Sequence, residues 1–283
     1  MNIAMATANL YYLPFEQALD IIAGAGYTHV ELALYWSRGP WAMAQHLKGL
    51  QASQAARMIS RAGLQVACIH DGGGVLEEAH SSAGYINPFL REYLDALGYA
   101  PRCIAMHTPH VFGDLDDAWW PGLLPEIVRA LDEYRACCAS LTIENMPPID
   151  GYCVPLTEPE SLGAFCAAHD LGVTLDTSHY AQMGMDTVAV ARTLRDRVRS
   201  VHLSDYLEGK PHAFVGTGRL DLKGVLSSLD AAALHAITLE CSVGFPHEDV
   251  RQMGHAQMVE RLRLAGDRVR GWLAQSAEDR AAT

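Results

Sequence analysis

Short runs of apolar residues alternate with helical patterns along the whole chain. Eight runs have the aliphatic and β-branched composition of buried strands and recur at intervals of roughly 30 residues, as repeated strand–helix units do. The predicted strands are NIAMATA (2–8), THVELAL (28–34), LQVACIH (64–70), RCIAMHT (102–108), SLTIENM (140–146), GVTLDTS (172–178), RSVHLSD (199–205) and HAITLEC (235–241). Their nearly continuous apolar character indicates parallel strands that are covered on both faces.

Segments with apolar residues on one helical face lie between these strands. Pro14 precedes one such segment, which ends near Gly24 and Gly26, and Pro125 is predicted to open another helix. Further helices are predicted near 46–61, 87–97, 157–169, 186–195, 222–229 and 247–273. Eight strands that alternate with helices predict an α/β fold of the (β/α)8 TIM barrel type.

The repeat runs through the chain without a visible domain boundary. We therefore predict one catalytic barrel domain over residues 1–274, and a flexible tail over the small and polar residues 275–283. An open, doubly wound sheet is the alternative architecture. It is disfavoured because no glycine-rich phosphate turn follows the first strand.

Charge and cysteine content narrow the class of protein. The chain of 283 residues carries 33 acidic and 21 basic side chains, a formal charge of −12, and has no basic stripe. Such a surface repels a phosphate backbone, so we expect no nucleic-acid partner. Seven cysteines show no CxxC pair, which favours reduced core thiols. Without a leader-like start or a long apolar window, the chain is predicted to be cytoplasmic, with no membrane partner.

Ionisable residues occupy the C-terminal ends of several predicted strands, the end where barrels of this type carry their working groups. They are His70, His107, Glu144, Asp176, His202 and Glu240. Taken singly, a strand-end carboxylate more often caps the next helix, and a histidine is more often a rim residue. On strands five to eight, however, three carboxylates would repel one another in a partly desolvated mouth. We therefore predict that a divalent metal ion binds to Glu144, Asp176, His202 and Glu240.

The predicted ligand set restricts the metal without identifying it. Three carboxylates and one imidazole suit Mn²⁺, Mg²⁺, Co²⁺ or Zn²⁺, and we expect one ion, with Mn²⁺ or Mg²⁺ favoured. Because the set contains no thiolate, a closed structural zinc site is not indicated. Coordination positions should remain open for water or substrate.

The motifs at these strand ends resemble those of the xylose isomerase-like TIM-barrel superfamily, which includes sugar isomerases, ketose 3-epimerases, inosose and dehydroshikimate dehydratases, and endonuclease IV-type DNA-repair enzymes. The similar motifs are IEN at Glu144, LDTSH at Asp176 and His179, VHLSD at His202, HAFVGTGRLDL from His212, and LE at Glu240. The resemblance implies that the four predicted ligands bind one metal ion. In the sugar epimerase branch, it also implies that Glu144 and Glu240 are the catalytic acid/base pair and that His179 contacts substrate.

Two branches of the superfamily remain open, and the chain departs from the pattern of each. In the endonuclease branch, three zinc ions use further ligands that match His70, His107, His179 and His212. That branch also has an aspartate ligand two residues before His212, where this chain has Lys210. The epimerase branch has a basic residue six positions after His202, where this chain has Glu208.

The combined pattern predicts a metal-dependent isomerase or epimerase that acts on a sugar or sugar-like polyol. It would abstract a proton next to a carbonyl through a metal-stabilised enediolate. The same first step permits a dehydratase of the inosose or dehydroshikimate type, which is the alternative. A zinc-dependent AP endonuclease is a weaker alternative, because of the acidic charge and Lys210. A barrel that has lost catalytic activity is the remaining alternative.

Substrate contacts are expected from the residues around the predicted metal. The predicted contacts are His179, His70, His107, His212, Lys210 and Trp36. Glu31, on the second strand, could line the pocket or pair with a base such as Arg38. The expected partner is a small-molecule carbohydrate. A homodimer or homotetramer is the expected assembly, with residues 41–47 as a candidate interface.

Overall fold

A closed barrel of eight parallel strands forms the centre of the protein. The computed structural model describes residues 2–34, 47–76, 78, 81–113, 115, 119–245 and 248–281. Numbered in chain order, the barrel strands are β1 (Asn2–Ala6), β2 (His29–Ala33), β3 (Gln65–His70), β5 (Cys103–His107), β7 (Ser140–Glu144), β9 (Gly172–Asp176), β10 (Val198–Leu203) and β13 (Ala236–Leu239). They close in the order β1-β13-β10-β9-β7-β5-β3-β2. The predicted (β/α)8 barrel is therefore confirmed, and each predicted strand is one barrel strand.

Helices cover the barrel between successive strands. They are α1 (Phe15–Gly24), α2 (Ala52–Arg61), α3 (Leu90–Leu97), α4 (Trp119–Asp132), α5 (Pro159–Ala168), α6 (Thr177–Gln182), α7 (Thr187–Leu194), α8 (Leu222–Ser228) and α9 (His255–Ala281). Short 3-10 turns occur at Thr7–Leu10, Arg135–Cys137 and Val250–Gln252. Most buried apolar residues of the strands and of the inner helix faces form one core, and small residues, mostly from the strands, form three further clusters.

The helix around Pro125 begins earlier than the sequence predicts. Pro125 lies inside α4, which the structure describes from Trp119, so the prediction that this proline opens the helix is wrong. An interior proline removes one helical hydrogen bond, at a cost of about 3 kcal/mol. The buried residues Trp119, Leu123, Ile127 and Leu131 follow one another at four-residue spacing. Their burial against the barrel offsets the lost bond and extends the helix toward its N-terminus.

The C-terminal segment predicted as a flexible tail, residues 275–283, is helical as far as the structure describes it, and its flexibility stays a prediction. Helix α9 continues to Ala281. Ser276 is buried; its hydroxyl donates to the Trp272 carbonyl at 2.9 Å and lies 2.7 Å from the Ser227 hydroxyl of α8. This packing against α8 explains why the helix persists beyond residue 274. The assignment of 1–274 as one catalytic domain stays a prediction.

Loops that follow the barrel strands carry two further small sheets. One sheet contains β4 (Val75–Leu76), β6 (His110–Phe112) and β8 (Tyr152–Cys153), and the other contains β11 (Asp205–Leu207) and β12 (Lys210–Ala213). These strands come directly after β3, β5, β7 and β10, so they belong to the C-terminal mouth of the barrel. The part of the chain described here has no helix with the length and apolar character needed to cross a membrane.

Candidate functional site

The four predicted metal ligands lie together at the C-terminal end of the barrel. Glu144 and Asp176 are the last residues of β7 and β9, His202 is near the end of β10, and Glu240 directly follows β13. All four side chains are buried. One ligand atom from each lies within 4.8 Å of those of the other three. The structure thus brings the predicted set together, while metal binding itself stays a prediction.

The two carboxylate oxygens of Asp176 have different surroundings. Oδ1 accepts hydrogen bonds from the backbone N–H of His179 at 2.8 Å and from the Ser178 hydroxyl at 3.0 Å, which makes Asp176 the N-cap of α6. Oδ2 is buried and accepts no hydrogen bond from the residues that the structure describes. The nearest imidazole nitrogen, Nδ1 of His212, is 3.9 Å away. A buried carboxylate oxygen without a donor is costly, so this oxygen fits a cation ligand.

Asn145, the residue after Glu144 in the IEN motif, braces the ends of two strands. Its side-chain oxygen accepts the backbone N–H of Asp176 at 2.8 Å, and its amide nitrogen donates to the Asp176 carbonyl at 3.1 Å. Nδ1 of His179 lies 2.8 Å from the Asn145 carbonyl oxygen. Because a carbonyl oxygen only accepts, Nδ1 carries the proton, and Nε2 of His179 is left for other contacts. Asn145 belongs to the IEN motif, but the motif alone does not indicate that its side chain joins two strands.

His202 lies between acidic groups on both sides of its ring. Nδ1 is 2.8 Å from Oε2 of Glu240 and 3.2 Å from Oε2 of Glu144, and Nε2 is 3.0 Å from Oε2 of Glu31. Burial alone would lower the pKa of His202, but the negative charges of Glu31, Glu144 and Glu240 raise it well above its ordinary value. In this arrangement, histidines supply the positive charge that the buried carboxylates require.

Glu144 and Glu240 are held in the ionised form by the histidines beside them. Burial would raise the pKa of Glu144, but the charges and hydrogen bonds of His202 and His70 lower it well below the ordinary value. The pKa of Glu240 is lowered in the same way, chiefly by His202 against burial. Since only ionised carboxylates bind metal ions well, the charge state of these two glutamates suits the predicted site.

His70 and His107 extend the cluster on the side of Glu144. The two Nε2 atoms are 2.8 Å apart, and Nε2 of His70 is 3.0 Å from Oε2 of Glu144. Nδ1 of His107 is 3.0 Å from the Gly73 carbonyl oxygen, to which it donates. Burial lowers the pKa of His107 to about 3. For His70, burial would lower the pKa, but Glu144 raises it to about 10.

His212 reaches the cluster from the hairpin of β11 and β12. Its φ of +53° is a left-handed conformation that non-glycine residues rarely adopt, and such backbone strain is concentrated at functional sites. Nδ1 is 3.2 Å from the Glu240 carbonyl oxygen, and the ring lies edge-on to His179 with centroids 5.2 Å apart. The structure therefore brings all four of the predicted histidine contacts to the mouth.

Two predicted substrate contacts are not placed at the cluster. Lys210 lies on β12 with an exposed side chain. Trp36 lies outside the described residues, as do Arg38 and residues 41–46 of the candidate interface segment. The substrate contacts of Lys210 and Trp36 and the interface at residues 41–47 stay predictions.

Glu31 differs from the other acidic residues of the cluster because it lies within a strand rather than at a strand end, and it contacts their histidine partners. It is in the middle of β2 and fully buried. Its partners include His202, His70 and the Thr238 hydroxyl. The sequence signal was an acidic residue inside an otherwise apolar strand, which permitted this position but did not identify the partners.

The chain matches the xylose isomerase-like TIM barrel family over residues 19–256. Its fold is similar to an L-ribulose 3-epimerase (16% identity, TM-score 0.71, 99% of this chain and 97% of that chain). It is also similar to a D-tagatose 3-epimerase-like protein (15% identity, TM-score 0.67, 99% of each chain). A third similar structure is an AP endonuclease, family 2, from Brucella melitensis (16% identity, TM-score 0.64, 88% of this chain and 100% of that chain).

No curated protein matches the chain in sequence. At 14–18% identity, the likeness to solved structures concerns the fold alone. The match to the family covers most of the chain, from the first helix to the start of the last. The chain therefore belongs to the xylose isomerase-like TIM barrel family.

Proposed function

We propose that this protein is a divalent-metal-dependent isomerase or epimerase that acts on a sugar or sugar-like polyol. The observation that carries the proposal is the set of buried donors from Glu144, Asp176, His202 and Glu240, whose ligand atoms lie within 4.8 Å of one another. Oδ2 of Asp176, buried and without a donor among the described residues, fits a cation in this set. Oxygen-rich donors favour Mn²⁺ or Mg²⁺ over the softer metals.

Glu144 and Glu240 are the proposed acid/base pair. A divalent ion held by Glu144, Asp176, His202 and Glu240 would supply positive charge to polarise a carbonyl group and to stabilise the negative charge on its oxygen. Both glutamates are ionised, so either one can accept a proton from the carbon next to the carbonyl. Two strands, β9 and β10, separate β7 from β13, so the two carboxylates approach from different parts of the rim.

The outcome of the reaction depends on where the proton returns. Deprotonation by one glutamate and reprotonation by the other inverts the carbon, which is epimerisation. Return of the proton to the neighbouring carbon is isomerisation. Loss of a hydroxyl after the same first step is dehydration, which keeps the dehydratase alternative open.

The surrounding histidines are proposed to bind substrate hydroxyl groups. Nδ1 of His179 is committed to the Asn145 carbonyl and Nδ1 of His107 to the Gly73 carbonyl, so each ring is held in one orientation. The fixed ring of His179, whose Nε2 takes no part in that bond, can distinguish the positions of hydroxyl groups on a sugar, while Nε2 of His107 lies 2.8 Å from Nε2 of His70. His70 and His212 are proposed to complete this set.

The similar structures support this proposal without deciding the substrate. The L-ribulose 3-epimerase and a D-psicose 3-epimerase that was solved with D-fructose act on or bind ketoses. The similarity to an AP endonuclease makes that activity the second candidate. Two further donor groups favour it, and in each group the ligand atoms lie within 4.8 Å of one another. One group is His70, His107 and Glu144, and the other is Asp176, His179 and His212. The charge of −12 and the lysine at position 210 disfavour DNA as substrate.

Solvent exchange tests the proposed chemistry directly. The Mn²⁺-loaded protein is incubated with a panel of ketoses and polyols in heavy water, and deuterium uptake at carbon is followed by NMR. We expect at least one substrate to gain deuterium, and we expect Glu144→Gln and Glu240→Gln to lose the exchange. Glu260→Gln, an exposed residue of α9, should exchange as the wild type does. Cleavage of abasic-site DNA with no exchange in any sugar would favour the endonuclease candidate.

A further inference from the structure

A buried carboxylate lies beneath the donor cluster and has no part in the proposed chemistry. Oε2 of Glu31 accepts a hydrogen bond from the Thr238 hydroxyl at 3.0 Å and lies 3.0 Å from Nε2 of His202. Oε1 of Glu31 is 3.6 Å from Nδ1 of His70. A fully buried carboxylate is costly unless its position serves the groups around it. One of its two contacts at 3.0 Å is with the imidazole of a predicted metal ligand.

The two nitrogens of His202 face opposite groups. Nδ1 faces Glu144 and Glu240, and Nε2 faces Glu31. An imidazole binds a metal ion through a nitrogen that carries a lone pair, so its proton must be on the other nitrogen. With Nδ1 as the ligand, Nε2–H donates to Glu31. The hydrogen bond to Glu31 therefore selects both the tautomer and the rotation of the ring that metal binding requires.

The position of Glu31 is itself fixed by the barrel. Thr238 of β13 is the sheet neighbour of His202 on β10, so the donor hydroxyl and the imidazole approach the same oxygen from adjacent strands. Glu31 and Thr238 come from β2 and β13, on either side of β1. This arrangement holds the Glu31 carboxylate in place before any ion binds.

Direct coordination by Glu31 is the competing interpretation. Glu31, His70, His202 and Glu240 also form a group whose ligand atoms lie within 4.8 Å. However, Oε2 of Glu31 is engaged by both Nε2 of His202 and the Thr238 hydroxyl. If Glu31 bound the ion, the ion would have to displace these contacts, and Nδ1 of His202 would no longer be the coordinating atom.

We propose that Glu31 is a positioning residue that holds the His202 imidazole with Nδ1 directed toward Glu144 and Glu240, and that it thereby tightens metal binding. This inference rests on the proposed function, because it assumes that a divalent ion binds to His202. It assigns Glu31 no contact with the ion or the substrate. Its effect should be seen in metal affinity even when no substrate is present.

The test uses Glu31→Gln and a matched pair of threonine variants in the whole 283-residue chain. Thr238→Val removes the hydroxyl that holds Glu31. Thr142→Val is the control, since Thr142 is equally buried in the barrel but bonds to Thr174 and the Ile104 carbonyl. Mn²⁺ affinity is measured by isothermal titration calorimetry, and Co²⁺ absorption spectra report the coordination geometry. Circular dichroism of the metal-free proteins checks that each variant is folded.

We expect Glu31→Gln to weaken Mn²⁺ binding by about 10–100-fold and to shift the Co²⁺ bands, as loss of a residue that orients a ligating histidine does. Thr238→Val should weaken binding by a smaller factor, and Thr142→Val should leave it unchanged. Unchanged Mn²⁺ affinity in Glu31→Gln, with a folded protein, would overturn the inference and leave the proposed function intact. Complete loss of binding would make Glu31 a ligand and would also overturn it. If the wild type binds no divalent ion, the proposed function fails first.

Discussion

At the scale of single residues, the LDTSH motif shows how one side chain meets two demands. A strand-end aspartate was expected either to cap the next helix or to bind a cation. Asp176 has one oxygen for each: Oδ1 caps α6, and Oδ2 is left without a donor among the described residues. Capping fixes the side chain's direction, because the bond to the His179 N–H orients the carboxylate.

Replacement of Asp176 by asparagine separates these two roles. The asparagine side chain can still cap α6 through its single oxygen, so the metal-free variant should fold and melt close to the wild type. Its metal affinity should fall by more than about 100-fold, beyond the range for residues that only orient a ligand. Asp186→Asn is the control, because Asp186 also caps a helix, α7, but is exposed and belongs to none of the donor groups. Metal content and activity equal to wild type in Asp176→Asn would remove Asp176 from the site.

Asp71, directly after β3, should make stability depend on pH. Burial raises its pKa to about 7, although the backbone N–H groups of Asn87 and Gly73 oppose the shift. The folded protein thus holds this proton up to about pH 7, while the unfolded chain releases it near pH 3.8. The stabilisation that Asp71 provides is therefore complete below its pKa in the unfolded chain, and it is lost as the pH rises through its pKa in the folded protein.

The test compares wild type with Asp71→Asn, which cannot titrate, by denaturant unfolding. The wild-type free energy of unfolding, relative to that of the variant, should fall by about 2–4 kcal/mol between pH 4 and pH 7. Other titrating groups are common to both proteins and cancel in the difference. A difference that is constant over this range would show that Asp71 is ionised in the folded protein.

At the scale of elements, the strands were predictable and the loops that shape the site were not. Parallel strands buried on both faces leave continuous apolar runs, so β7 and β9 could be located from composition. Helix α6, at Thr177–Gln182, has little apolar periodicity and was not predicted, because it is defined by the cap at Asp176. The N-terminal part of α4 was missed because Pro125 was given more weight than the buried residues before it.

One buried carboxylate accepts several backbone hydrogen bonds from the loop after β12. Asp205 accepts hydrogen bonds from the backbone N–H groups of Gly216, Gly218 and Leu220, at 2.9–3.0 Å. This loop continues from the strand that carries His212. A side chain at Gly218 would approach Asp205 within 2.3 Å, which explains the glycine at that position.

Removal of this carboxylate should loosen the loop. Asp205→Asn is expected to lower the free energy of unfolding by on the order of 2–4 kcal/mol, since three partly buried backbone N–H groups lose a charged acceptor. Limited proteolysis should then cut the chain near residues 214–220 faster than in the wild type. Asp221→Asn, which alters the exposed cap of α8, is the control. Equal cleavage rates in all three proteins would show that the loop is held by other contacts.

At the scale of the whole molecule, barrel closure gathers residues from distant parts of the sequence. The common end of the strands could be predicted, because parallel strands in a barrel all point the same way. From this common end, the sequence alone predicted that Glu144, Asp176, His202 and Glu240 lie close together. The contact between Glu31 and His202 could not be predicted in this way, because the residues are 171 positions apart and their approach depends on how the barrel closes.

The metal content of the purified protein tests the proposed site most directly. Protein purified without chelator or added metal is analysed by elemental mass spectrometry, together with Asp176→Asn purified in the same way. We expect about one Mn²⁺, Mg²⁺, Co²⁺ or Zn²⁺ per wild-type chain, and close to none in the variant. About three zinc ions per chain would contradict the single-metal site and favour the endonuclease candidate. A wild-type protein that binds no divalent ion, even when it is titrated with metal, would contradict the proposed metal site altogether.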